Sequence, residues 1–141
     1  SPAADEEKDN ESRDIWQAWG GLNAIQFFLP MMFDMVVHQK KLCPSLIAKV
    51  MDYNPAKVFG FYGQKGAFEI GFDADAVILD PEKPWKVGQE KLFTKGHVTC
   101  FDGLEGKGAP TCTVIRGRVV AKDGMYVEEA KGFGKYVTPV R

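Results

Sequence analysis

The sequence predicts an α-then-β fold, with helices early, strands after them, and no βαβ alternation. Three observations carry this. Apolar residues recur at three- and four-residue spacing from Leu22 to Val37 and again from Leu46 to Met51. After Lys65-Gly66 the period switches from helical to extended, with short apolar runs at Ala76–Leu79 and Cys112–Ile115. Gly117 and Asp123-Gly124 then punctuate the last runs, the second of them a hairpin signal.

In chain order, residues 1–14 carry Asp5, Glu6, Glu7, Asp9, Glu11 and Asp14 with almost nothing apolar, and read as a solvated loop. Residues 15–63 are the helical segment. Trp16 and Trp19 flank a turn at Gly20-Gly21, and a long amphipathic helix follows. Leu22, Ile25, Phe28, Leu29, Met32, Phe33, Val36 and Val37 are its expected apolar face. Pro30 predicts a kink within it. Pro44 opens a second helix with Leu46, Ile47, Val50 and Met51 buried, and Asn54 is expected to cap a third, with Pro55 at its first position. Gly60 or Gly63 ends that helix. In 64–130, Ala76–Leu79 is expected to be a buried strand, since it is apolar throughout. Cys112–Ile115, Arg118–Ala121 and Met125–Val127 are the others. Residues 131–141, with Phe133, Tyr136 and Val137 among glycines, form an extended arm.

Length and charge exclude several classes. With 141 residues the chain is too short for a complete β/α barrel, which takes about 250. A net charge of −1 leaves no basic surplus for nucleic acid. Leu22–Val37 is interrupted by Asn23, Gln26 and Asp34, so no membrane span is expected. Cys43, Cys100 and Cys112 show no CxxC pairing and read as reduced thiols in a cytoplasmic protein.

Residue content offers little chemistry. His38 reads as an exposed helical histidine. His97 stands three before Cys100, a two-ligand spacing with no third ligand in reach, whereas a catalytic zinc takes three. No GxSxG elbow occurs, and the glycine stretches at 60–66 and 103–108 read as turns rather than phosphate loops. Asp73 and Asp75 are a carboxylate pair before a strand, more readily backbone-capping turn residues than an acid–base pair.

Two motifs nevertheless stand out. Asn54-Pro55-Ala56-Lys57-Val58-Phe59-Gly60 is followed by Lys65-Gly66, Gly71, Asp73-Ala74-Asp75 and Asp80-Pro81. This resembles the C-terminal signature of the amidohydrolase superfamily, N-P-A-x-x-F-G and then K-G-x-x-x-x-G-x-D-A-D-hydrophobic-D-P. Ala18-Trp19-Gly20-Gly21-Leu22 is similar to the loop and helix after barrel strand eight in allantoinases and dihydroorotases. Phe101-Asp102-Gly103, Val114–Val120 and Gly132–Tyr136 resemble the tail of hydantoinases and dihydropyrimidinases. The resemblance implies the last helix of a β/α (TIM) barrel and two short helices, followed by the C-terminal strands of a composite β-sandwich. It implies a cyclic amidohydrolase that opens a ring amide with a binuclear zinc centre, in a homo-oligomer. Ser1-Pro2 are similar to the end of the family's D-H-S-P signature. The resemblance therefore implies that the metal ligands, and the Asp acting as base and acid, lie in an N-terminal remainder of the enzyme, leaving no catalytic or metal residue in these 141. Ala18, Trp19, Gly20 and Gly21 are then the expected substrate-binding wall, with glycines that let the chain approach a planar ring closely. The plainer alternative is that Gly20-Gly21 is only the turn before the helix. A second reading of the whole chain is a non-catalytic assembly module that reuses this C-terminus.

Overall fold

A computed structural model describes Ala4, Asp5, Asp14, Trp16 and residues 20–140. The first helical run begins with a 3-10 turn at Ile25–Phe27. It continues as α1 at Phe28–Phe33 and ends as a π segment at Asp34–Gln39. Pro30 thus falls in the first turn of α1. An N–H has no intrahelical partner there, so the missing donor costs no bond. The irregularity expected at Pro30 lies instead in the π segment beyond it. The buried face also differs from the expected one. Phe27, Phe33 and Val36 are buried, while Ile25 is 94% exposed, and Leu22 and Phe28 are exposed too.

The second and third expected helices are one helical run. α2 at Ser45–Ala48 passes through a π segment at Lys49–Tyr53 into α3 at Asn54–Val58. Asn54 has helical backbone angles and makes no side-chain cap. The π segment absorbs the missing Pro55 donor, so the chain does not have to break before it. The run ends as expected at Gly60, at φ +74. Phe61 N–H donates to Ala56 O at 2.7 Å and Gly60 N–H to Lys57 O at 3.3 Å, the paired bonds of a Schellman end.

The strands β1 (Ala76–Lys86), β2 (Glu105–Ile115), β3 (Arg118–Lys122) and β4 (Met125–Tyr126) form an antiparallel sheet in the order β1-β2-β3-β4. Two-residue turns join the last three. Arg116-Gly117 and Asp123-Gly124 have positive φ at both positions, which matches the twist of a type I′ hairpin. β1 runs on past Asp80-Pro81 to Lys86. Its prolines are tolerated because β1 is an edge strand whose register shifts between Asp80 and Pro84. Contrary to expectation, Val77 and Ile78 are exposed: Val77 lines an open cleft on the helix side of the sheet, and Ile78, on the opposite face, is more than half exposed.

Helix and sheet meet at glycines. Gly106 and Gly108 lie inside β2 and are not turn residues. A Cβ on Gly108 would stand 2.1 Å from Phe33 Cδ1, and one on Gly106 2.6 Å from the Trp85 ring. Asp34 Oδ1 accepts Lys107 N–H at 3.0 Å between them. Two small cores flank this joint: Phe27, Val87 and Leu92 on one side, Phe33, Val36 and Ile47 on the other. Among the described residues no helix is long and apolar enough to cross a membrane.

The arm is held to its own chain. Phe133 lies under the Arg116 and Arg118 guanidiniums, at 4.4 and 5.0 Å from the ring centre. Arg116 also donates to Phe133 O, and Val140 N–H donates to Gly60 O at 2.7 Å. Tyr136 between these anchors is 92% exposed.

Candidate functional site

The two signature segments fold into one unit. Gly66, at φ +90, lets the chain turn tightly against the helix: a Cβ there would meet Ala56 Cβ at 2.4 Å and Asp52 O at 3.0 Å. This turn delivers Lys65 to both aspartates. Its ammonium lies 2.8 Å from Asp73 Oδ2 and also pairs with Asp75 Oδ2. Asp75 Oδ1 accepts the Arg116 N–H at 2.8 Å, and Gln64 Nε2 donates to Asp73 at 3.2 Å. The hydrogen bond from Lys65 holds the Asp73 carboxyl below the usual carboxylate range. Burial alone pulls Lys65 down, but the bonds to Asp73 and Asp75 outweigh it and leave its pKa raised. Asp73 and Asp75 therefore knit the entry of β1 to the β2–β3 turn. A carboxylate locked to an ammonium and to a backbone amide is poorly placed to shuttle a proton.

Between the second helical run and the sheet lies an apolar cleft of about 770 Å³, lined among others by Leu29, Ile47, Met51, Phe68 and Leu79. Asp52 borders it as an exposed residue, and partial burial pushes its carboxyl above the usual range. Beside the cleft Lys57 sits over the Tyr53 and Tyr62 rings at 4.4 and 5.0 Å, and the Tyr53 hydroxyl raises its pKa.

His97 and Cys100 do not form a site. His97 Nδ1 lies 3.0 Å from Asp5 Oδ2, and Cys100 is exposed. No three His, Cys, Asp or Glu side chains among the described residues gather as a metal would need, so these residues do not fit a binuclear zinc centre. His38 is half-buried, not exposed: its Nε2 lies 2.8 Å from Pro81 O, and its ring is edge-on to Phe33.

Of the expected substrate wall, Ala18 and Trp19 lie outside the described residues. Gly20 is exposed with open space around it, and Gly21 has φ +129. Sequence reasoning missed the partners of the wall's neighbourhood. Asn23 is buried and donates to Gly96 O at 2.6 Å and Val98 O at 3.1 Å. Gln26 bridges Lys91 O and Phe93 N–H. These long-range pairs leave no local signal. Only the polar character of Asn23 and Gln26, which interrupt an otherwise apolar run, hinted at them.

An α-then-β chain in which the N-P-A-x-x-F-G helix packs against the Gly66 turn, whose neighbour Lys65 holds both D-A-D aspartates, defines the class. The chain belongs to the amidohydrolase family, which its residues 12–120 match. It is similar to the L-hydantoinase of Paenarthrobacter aurescens, at 38% identity over 133 residues, 94% of this chain and 29% of that protein. It is also similar to the allantoinase of Rubrobacter xylanophilus, at 33% identity over 141 residues, 100% of this chain and 30% of that one. The solved L-hydantoinase (dihydropyrimidinase) from Arthrobacter aurescens superposes with a TM-score of 0.80 at 37% identity, over 86% of this chain and 27% of its own. The chain thus spans less than a third of the length of these relatives.

Proposed function

We propose that this chain forms the C-terminal part of a metal-dependent cyclic amidohydrolase. Such an enzyme opens a ring amide of the hydantoin, dihydropyrimidine or allantoin type, with hydantoin the preferred class. The joint likeness to L-hydantoinase in sequence and in backbone carries the reading. Under it, residues 1–14 are the loop after barrel strand eight and 15–63 close the barrel. Residues 64–130 belong to a composite β-sandwich, and 131–141 form an arm at a subunit contact of a homo-oligomer. The exposure of Ile25, Val58 and Ile78, together with the open cleft, supports this, because a barrel and further strands would cover such surfaces. Ala18, Trp19, Gly20 and Gly21 are assigned to the wall of the substrate pocket. Zinc belongs to the proposed enzyme, with ligands outside the described residues, and no described residue takes a metal-dependent step. Three free thiols support a cytoplasmic setting.

The test is ring opening by the full-length, metal-replete polypeptide that carries this segment, on hydantoin, dihydrouracil, allantoin and dihydroorotate. Hydantoin is expected to turn over fastest. Activity on none of the four would overturn the proposal, while a clear preference for allantoin would move the substrate assignment alone.

A further inference from the structure

We draw no further inference here: the strongest candidate, the open apolar cleft between the second helical run and the sheet, lined by Phe59, Phe68 and Val77 among others, is an unpartnered apolar face, and nothing in the structure shows what covers it.

Discussion

Asp52 and Asp73 both line the apolar cleft, yet pH acts on them in opposite directions. Asp73 is depressed by Lys65, so its contribution is present above its ordinary value of 3.8 and is lost as pH falls through the lower folded value. Asp52 is exposed overall but raised by partial burial of its carboxyl, so at neutral pH its ionised form works only weakly against the fold, and that small penalty disappears below 3.8. Asp52→Asn is therefore expected to melt higher than the parent at pH 7, with the gap closing near pH 3.5. Thermal unfolding at the two pH values checks this, and equal melting at pH 7 would contradict it. Asp75→Asn keeps an oxygen for the Arg116 amide but loses the charge facing Lys65. A loss of about 0.5–2 kcal/mol is expected, with turnover per folded enzyme within a few-fold of the parent. A hundred-fold drop in turnover with unchanged melting would instead make Asp75 catalytic. The D-A-D turn was legible in the sequence as a structural device. Its counter-charge was not, because Lys65 meets it only after the chain has folded back at Gly66.

At the scale of elements, α1 and β2 are joined by a contact with no room to spare. Gly108 has φ +96 and Phe33 directly above it, whereas Gly103 has φ +77 and open space around it. Alanine at Gly103 is expected to cost only the backbone strain, about 1 kcal/mol. Alanine at Gly108 adds an overpacking penalty of about 1–3 kcal/mol. Denaturant midpoints of the two variants separate the effects, and equal losses would show that Phe33 yields. The hairpin at Asp123-Gly124 and the helix end at Gly60 were legible from local turn chemistry. The helical breaks were not. Pro30 and Pro55 argue locally for kinks, but the chain absorbs them by sliding between 3-10, α and π geometry, which no single residue encodes. The apolar run Ala76–Leu79 was misread as buried because apolar composition marks what a strand is suited to, not what lies over it.

For the whole molecule, the order of helices before strands and the family resemblance were legible. The covering layer was not, since the contacts that would bury Ile78 or Val58 involve no described residue. The proposed homo-oligomer is tested at the arm. Deleting residues 131–141 from the full-length enzyme is expected to shift sedimentation toward smaller species and lower the melting temperature, with zinc content unchanged. Because Phe133 is already seated between Arg116 and Arg118, some loss of stability is expected even without an assembly role. Sedimentation therefore decides: a truncated enzyme that sediments like the parent contradicts the subunit contact.

The bond from Val140 to Gly60 has a further consequence for how separation of helix and sheet is seen from outside. The arm leaves the sheet at Phe133 and lands where α3 ends, so the backbone between Gly60 and Val140 forms a closed ring whose clasp is one amide. Opening that ring requires the helix end and the sheet turn to part, or the last residues to peel off alone. The Val140 amide is thus a gauge that can be read by deuterium uptake at a single site. Uptake that keeps pace with the amides of β2 marks the parting of the two halves. Uptake that runs far ahead marks fraying of the terminus.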